Sequence, residues 1–274
     1  MKISIIGLGF VGFAMCESFN NKLKELDITN ITIYGYDKYK NGGIGTLIDC
    51  INSNIIFTAL PTLFNDQLKS YDNSPTLEVL TELQKYNYTG TIVIKSTVEP
   101  CFTEAISLKF PSMQFIHNPE FLTARTAYHD FHSQNHIVLG KSSNCNIENC
   151  EKVTLFYSKL YPLAKISQCT CTESECMKIF CNTFYSVKIQ YFNELYLLSQ
   201  KIGADYNEIV KLMLQNNWIN PMHTNVPGPD GKLSYGGLCF PKDTNALLEF
   251  MKLQEIPSAV LNACITERND MRKE

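Results

Sequence analysis

Residues 3–19 read ISIIGLGFVGFAMCESF, and this stretch decides the fold class. Its first four residues are apolar and β-rich, which predicts a buried strand, and residues 13–19 have the apolar spacing of a helix. Between them lies a G-x-G-x-x-G turn, whose glycines allow a tight turn, close approach of a pyrophosphate and helix–strand packing. The pyrophosphate of a dinucleotide would bind at the helix N-terminus, so the candidate cofactor residues here are Gly7, Gly9, Phe10, Val11 and Gly12.

A carboxylate follows the next predicted strand. Residues 31–36, ITIYGY, are followed by Asp37, a little over 20 residues after the glycine turn, which is close to the spacing of the acidic residue that binds a ribose 2′-hydroxyl. The same charge would repel a 2′-phosphate, so the sequence predicts NAD rather than NADP as the cofactor. On these residues alone, a glycine turn in some other α/β domain stays open as the alternative.

Strands and helices go on alternating to about residue 167, which predicts an α/β domain with a Rossmann-type, doubly wound and mostly parallel sheet. The polar stretch 66–74 is predicted to be a loop. Ligands bind beyond the carboxyl ends of parallel strands. Four candidate site residues lie at such ends, with ordinary loop polarity as the alternative reading of each: Pro61, Thr62, Thr97 and Glu120.

The pattern changes near residue 170. Residues 172–201 have helical spacing without Pro or Gly, which predicts one long helix that opens a second, all-α domain. We therefore expect an NAD-binding domain at 1–170 and a helical central domain at 171–274. Thr172 is the predicted N-cap, with Glu175 completing a capping box. Glu175, Lys178 and Asn182 fall on one face, where an ammonium and an amide could donate to a developing oxyanion, or simply form a solvated stripe.

The densest chemistry is GGLCFPKD at 236–243. Pro241 predicts a helix start, so the Cys239 thiol would lie just before a helix N-terminus, where a thiolate is favoured. Asp243 follows one helical turn later and could face the thiol and handle a water molecule. The alternative reading is a glycine-rich turn that contains one of eleven cysteines.

Composition narrows the functional class. The net charge is -3, and no stretch is apolar for the length of a membrane helix, so neither a nucleic-acid nor a membrane partner is expected. The apolar N-terminal stretch is too short for a signal peptide, and many cysteines then suit a reducing, cytoplasmic location. No metal site is expected, because the crowded cysteines 169–181 lack zinc-site spacing and the five histidines form no metal-binding motif.

In order along the chain, the motifs are GLGFVG, ALPT, KSTVEP, HNPEFL, the helix with Glu175, Lys178 and Asn182, FNEL at 192–195, VPGPDGK and GGLCFPKD. This ordered set resembles the UDP-glucose 6-dehydrogenase family of nucleotide-sugar dehydrogenases, from residue 1 to about residue 265. The resemblance rests on order and spacing, since no single motif decides it.

The resemblance implies a four-electron oxidation of a sugar-nucleotide C6 alcohol to the carboxylate by two NAD⁺. It makes Cys239 the nucleophile that forms a thiohemiacetal and then a thioester. Lys178 and Asn182 match the residues that stabilise the C6 oxyanion, while Asp243, Thr97 and Glu120 match those that position or activate water. UDP-glucose is the expected substrate, and GDP-mannose or an N-acetylhexosamine nucleotide stays open.

The chain also departs from the family pattern. The family usually has an acid where this sequence has Ala124, and a glycine where it has Cys101. The family's third domain, which grips UDP, is not in this sequence, so a catalytically weak or inactive NAD-binding relative is the alternative function. Relatives also dimerise through the long central helix. We therefore expect a homodimer through the helical domain, with the apolar candidates Phe180, Phe184, Tyr191 and Leu195.

Overall fold

The computed structural model describes residues 1–272, which form two compact units. The first unit comprises Met1–Thr62 and Asp72–Lys178, and the second comprises Leu63–Tyr71 and the chain from Ile179 onward. The sequence places the boundary near residue 170, whereas the two units of the structure divide after Lys178, inside the long helix.

The first unit is an α/β domain built around one sheet. Its strands are β1 Lys2–Ile6, β2 Thr32–Tyr36, β3 Ile55–Thr58, β6 Thr91–Ile94, β7 Gln114–His117, β8 His136–Lys141 and β9 Lys165–Thr170. Its helices are α1 Phe10–Glu25, α2 Leu47–Cys50, α3 Ser74–Lys85, α4 Phe102–Lys109, α5 Ala127–His132 and α6 Ile147–Leu160, with a short 3₁₀ turn at Lys40–Gly42.

The seven strands run in the order β2-β1-β3-β6-β7-β8-β9. Every neighbouring pair is parallel except β7 and β8, which are antiparallel, so the predicted mostly parallel sheet is confirmed. Helices cover both faces of the sheet, so the residues of the interior strands are mostly apolar on both sides. All four residues of β3 and of β6, for example, are buried.

The core on one face of the sheet is largely aromatic. Phe19 of α1 is fully buried, and its ring centroid lies 5.5 Å from that of Phe57 on β3 and 4.9 Å from that of Phe156 on α6. Tilted and edge-on contacts of this kind stabilise a core beyond the area that they bury. They fix α1, and with it the glycine turn at its N-terminus, against the sheet.

The second unit is helical apart from one small hairpin. It contains the part of α7 (Cys171–Ile202) from Ile179 onward, with α8 Tyr206–Leu214, α9 Phe240–Leu253 and α10 Ala259–Met271. The hairpin pairs β4, Phe64–Asn65, with β5, Ser70–Tyr71. The prediction of a loop at 66–74 is therefore only partly right: residues 66–69 form the turn of the hairpin, but Ser70 and Tyr71 form a strand. Tyr71 packs with Leu247 and Leu248 of α9.

The predicted capping box at Thr172 and Glu175 is also wrong. Helix α7 begins one residue earlier, and the reciprocal bonds of the box join Thr170 to Glu173: the Thr170 N–H donates to the Glu173 carboxylate at 2.8 Å, and the Glu173 N–H donates to Thr170 Oγ1 at 3.3 Å. Both pairs have the same sequence spacing, so spacing alone could not separate them.

Glu175 has a different role from the one predicted. It is fully buried in the first unit and accepts 2.7 Å hydrogen bonds from the backbone N–H groups of Cys101 and Thr103, at the start of α4. Burial raises the pKa of the Glu175 carboxyl to about 7, against the lowering effect of these bonds. Its side chain therefore ties α7 to α4 and does not face solvent.

No helix within residues 1–272 has the length and apolar character needed to cross a membrane. In that same part of the chain, no three His, Cys, Asp or Glu side chains lie together as metal ligands would.

Candidate active site

The glycine turn between β1 and α1 leaves room for a ligand at one glycine and none at the others. A Cβ on Gly12 would lie 1.8 Å from the Gly7 carbonyl oxygen, and Gly7 itself has a φ of +89°. A Cβ on Gly9 would meet nothing within 4 Å. Gly7 and Gly12 are therefore needed for the turn and its packing, whereas Gly9 borders open space where a pyrophosphate would approach. Phe10 and Val11 begin the helix that follows.

Asp37 lies at the end of β2, beside that turn. Its Oδ2 accepts a 2.7 Å hydrogen bond from the Leu8 N–H, and its Oδ1 accepts 2.9 Å bonds from the N–H groups of Tyr39 and Lys40. Desolvation opposes ionisation, but these backbone bonds and the nearby Lys40 ammonium hold the pKa of Asp37 below its usual range. The residues of this edge thus fit a dinucleotide, because a fixed anion stands where a ribose hydroxyl would donate.

The loops after β3 and β6 are joined to each other. Thr62 is buried, and its Oγ1 donates a 2.8 Å hydrogen bond to the Thr97 carbonyl oxygen. Ser96 Oγ donates a 2.6 Å bond to the Leu60 carbonyl in the same way. Because β3 and β6 are parallel neighbours, these bonds bring Pro61, Thr62 and Thr97 to one edge of the sheet, as predicted from strand ends.

Lys178 and Glu120 form a buried ion pair in the first unit. Lys178 Nζ lies 3.3 Å from Glu120 Oε1 and donates a 2.5 Å hydrogen bond to the Glu120 carbonyl oxygen. The other carboxylate oxygen, Oε2, accepts a 2.6 Å bond from the Leu122 N–H. A cleft of about 470 Å³ opens beside Glu120, lined by Pro119–Leu122, His129–Phe131 and Ser133–His136. Ala124, where the family acid was expected, is exposed in the loop before α5.

A second lysine lies behind this pair. Lys95 is 2% exposed, and its Nζ donates to Asn118 Oδ1 at 2.9 Å and to the Pro119 carbonyl at 3.4 Å. Burial lowers the pKa of Lys95 to about 7; the nearby Glu120 opposes this shift and Lys178 adds to it. Lys95 therefore fixes Asn118 and Pro119, the two residues that precede Glu120.

Asp243 is the centre of the second unit's polar cluster. It is fully buried, and its Oδ2 accepts a 2.6 Å hydrogen bond from Asn182 Nδ2. Its Oδ1 accepts from the Tyr71 hydroxyl and, at 2.5 Å, from Lys242 Nζ. Cys239 is partly exposed at the N-cap of α9, and its carbonyl accepts a 3.0 Å bond from the Asp243 N–H. The thiol residue and the carboxylate thus occupy the ends of one helical turn.

The structure divides the predicted catalytic residues into two sets. Thr97, Glu120 and Lys178 belong to the first unit, and Asn182, Cys239 and Asp243 to the second. Lys178 and Asn182 lie one turn apart along the single helix α7. Cys101, where the family usually has glycine, has a φ of +74°, which explains the glycine preference at that position.

Sequence reasoning missed Lys95 and Tyr71. Lys95 carries a weak signal, because it directly follows the buried strand β6, where a charged side chain must be paired or neutralised. Tyr71 carries none, because a two-residue strand is too short to show a period.

Comparisons with known proteins match both parts of the chain. Residues 46–160 match the family model described as the UDP-glucose/GDP-mannose dehydrogenase family, NAD binding domain, and residues 172–270 match the central domain of the same family. A UDP-glucose 6-dehydrogenase of Campylobacter jejuni is 28% identical over all of this chain and 73% of its own length. One from Streptococcus pneumoniae is 26% identical, over all of this chain and 74% of its own length.

A solved structure supports the fold. The UDP-glucose dehydrogenase of Pyrobaculum islandicum superposes with a TM-score of 0.79, at 22% identity, over 97% of this chain and 67% of that protein. The same overall fold is therefore present, and NAD is the cofactor that the matched NAD-binding domain implies.

Proposed function

Because the chain belongs to the UDP-glucose/GDP-mannose dehydrogenase family, we propose that it oxidises the C6 alcohol of UDP-glucose to the carboxylate. The names of the two relatives that align over this whole chain support UDP-glucose as the substrate. The overall change converts the alcohol, two NAD⁺ and one water into the carboxylate, two NADH and three protons. NAD, when bound, supplies the hydride acceptor for both oxidations.

The glycine turn and Asp37 would hold the cofactor. The open space at Gly9 accepts the pyrophosphate against the N-terminus of α1, and the Asp37 carboxylate accepts the ribose hydroxyl. Pro61, Thr62 and Thr97 lie at the adjacent strand ends, where a parallel sheet binds its ligands.

The observation that carries the proposal is the arrangement of Cys239 and Asp243 in the first turn of α9. Cys239 precedes a helix of 14 residues, whose N-terminus stabilises a negative charge on sulfur. The thiolate would add to the C6 aldehyde, and a second oxidation would then leave a thioester on Cys239. Asp243 lies one turn away, where its carboxylate accepts a hydrogen bond from Asn182. It would take a proton from the attacking water.

Lys178 and Asn182 would donate hydrogen bonds to the oxygen at C6. An ammonium and an amide N–H both stabilise the negative charge that develops there when the carbonyl carbon becomes tetrahedral. Glu120 fixes the Lys178 ammonium through their buried ion pair, and Thr97 and Glu120 add polar groups that can orient water.

We also propose that the protein is a homodimer through α7. Phe180, Phe184 and Tyr191 are 52%, 63% and 53% exposed, as the dimer hypothesis requires. The fourth candidate, Leu195, is partly buried because it packs with Phe192 and Tyr206 inside the second unit. Leu198 and Ile202, 56% and 66% exposed, continue the apolar face instead.

Purified protein, NAD⁺ and a panel of sugar nucleotides test the function, with NADH followed by absorbance and the acid by chromatography. We expect acid from UDP-glucose, with GDP-mannose and an N-acetylhexosamine nucleotide as the comparison substrates. Cys239→Ala should abolish acid formation, Cys239→Ser should stall at a trapped intermediate, and Cys169→Ala, which alters a partly exposed thiol on β9, should change nothing. Near-normal acid formation by Cys239→Ala would refute the covalent mechanism.

A further inference from the structure

The β4–β5 hairpin carries a tyrosine into the second unit. Tyr71 is 2% exposed and packs with Ile179 of α7 and Leu247 and Leu248 of α9. A buried phenol normally finds a hydrogen-bond partner, and this one donates to a carboxylate.

That carboxylate is Asp243, and three donors surround it. The Tyr71 hydroxyl and Lys242 Nζ share Oδ1, while Asn182 Nδ2 donates to Oδ2 at 2.6 Å. Lys242 Nζ also lies 4.5 Å from the centroid of the Tyr71 ring, so the phenol positions the ammonium as well.

The number of donors limits what Asp243 can still accept. A carboxylate offers about four lone-pair sites, so these three donors leave about one, on Oδ2. Together with the Asn182 bond to Oδ2, the Tyr71 bond to Oδ1 fixes the plane of the group, which decides the direction in which that remaining site points. A general base must meet its proton within hydrogen-bond reach, so the orientation of this plane matters for catalysis.

We propose that Tyr71 is a positioning residue that orients Asp243 as the base for hydrolysis of the Cys239 thioester. The inference rests on the proposed function. In this step water forms a C–O bond to the acyl carbon as the C–S bond breaks. Sulfur leaves as the Cys239 thiolate, and one water proton passes to Asp243 and then to solvent. The second proton is released to solvent when the product acid ionises to the carboxylate, and no electrons are transferred.

The test compares Tyr71→Phe with a matched control, Tyr206→Phe. Tyr206 is also a buried tyrosine of the second unit, and its hydroxyl donates a 2.7 Å bond to the Thr224 carbonyl. For Tyr71→Phe we expect kcat to fall about 10- to 100-fold, while KM for UDP-glucose and the Kd of NAD stay within about twofold. Rapid-quench mass spectrometry should show acyl-enzyme accumulating on Cys239 after a normal first burst of NADH. Tyr206→Phe should change neither kcat nor the acyl-enzyme level.

Asp243→Asn separates the inference from the proposed function. Acyl-enzyme that accumulates in Asp243→Asn but not in Tyr71→Phe overturns the role of Tyr71 and leaves the function standing. Equal losses of kcat in Tyr71→Phe and Tyr206→Phe also overturn it. Absence of acyl-enzyme and of NADH in every form, including the unaltered protein, refutes the proposed function instead.

Crystal structures of the two variants give a readout that does not depend on turnover. We expect the Asp243 carboxylate to rotate in Tyr71→Phe and to keep its orientation in Tyr206→Phe. An unmoved Asp243 carboxylate in Tyr71→Phe overturns the proposal whatever the activity.

Discussion

Lys178 Nζ lies 3.3 Å from Glu120 Oε1, and the two side chains are only 6% and 10% exposed. Removing one partner of such a buried pair leaves the other charge without compensation and costs about 3–5 kcal/mol of stability. A substitution at either residue therefore changes stability. Activity measurements must separate this effect on stability from the effect on catalysis.

Lys178→Met tests the chemical role. We expect kcat to fall about 10²- to 10³-fold with a smaller change in KM, as for an oxyanion donor that acts mainly in the transition state. The double variant Lys178→Met with Glu120→Gln removes the unpaired charge, so it should recover unfolding free energy but not kcat. Denaturant melts and steady-state kinetics measure both. Recovery of kcat in the double variant would show that Lys178 acts only through stability.

Gly9 and Gly12 give a matched pair for the cofactor site. Gly9 has a φ of -62° and open space at its Cβ position, so Gly9→Val should fold normally but place its side chain in the pyrophosphate path. Gly12→Ala would force a Cβ to 1.8 Å from the Gly7 carbonyl oxygen and should cost about 1–3 kcal/mol of stability. Calorimetry should detect no NAD binding to Gly9→Val. Unchanged NAD affinity in that variant would remove the glycine turn from the site.

Asp37 should make the protein prefer NAD over NADP. Its carboxylate is held in place by three backbone N–H groups, and a 2′-phosphate would meet it as a like charge. We expect NAD to bind more tightly than NADP by about 10-fold or more. Asp37→Asn should reduce this difference in affinity between the two cofactors. Titration calorimetry with both cofactors measures this. Equal affinities in the unaltered protein would remove Asp37 from the ribose site.

Lys95 should make folding stability depend on pH. Its pKa is about 7 in the folded protein and near the ordinary value of 10.5 in the unfolded chain, so between these values the unfolded chain binds more protons. Stability from this group is therefore present above about pH 10.5 and is lost progressively as pH falls from 10.5 to 7. The difference in unfolding free energy between the unaltered protein and Lys95→Met should change by about 1.4 kcal/mol per pH unit between pH 8 and 10.

Glu175→Gln provides the contrast of opposite sign. The Glu175 carboxyl holds its proton up to about pH 7 in the folded protein, against 4.5 in the unfolded chain, so its contribution is lost as pH rises from 4.5 through 7. For Lys95, the contrary outcome is a difference in unfolding free energy between the unaltered protein and Lys95→Met that does not change between pH 8 and 10. That result would mean that Lys95 stays charged when buried.

The sequence predicted the sheet because its signals are local. The glycine turn, the apolar strands and their alternation with helices each lie within a dozen residues, and parallel pairing then follows from the connections. The roles of the site residues are predicted from the family resemblance, because spacing alone does not indicate which of them meet. Lys178 and Glu120, for instance, are separated by 58 residues, and no local pattern predicts their contact.

The errors have the opposite origin. The spacing between Thr172 and Glu175 predicts a capping box, but tertiary packing directs the Glu175 side chain to the start of α4. Tyr71 lies in a polar stretch, on a two-residue strand, and its side chain packs with residues of α7 and α9, which come more than 100 residues later. Both residues depend on contacts between distant segments, which a single sequence does not reveal.

The apolar face of α7 gives the last prediction. Phe180, Phe184, Tyr191, Leu198 and Ile202 follow one another at spacings of four or seven residues, so they form a single stripe along about 33 Å of helix. A continuous exposed stripe of this size usually marks an interface, and a second copy presents the same stripe in a two-fold arrangement. Light scattering should therefore give twice the chain mass of 31.2 kDa. Phe184→Glu with Tyr191→Glu should give the monomer, whereas Leu253→Glu, at an even more exposed leucine on α9, should leave the dimer intact. A monomeric unaltered protein at micromolar concentration would contradict the proposed interface.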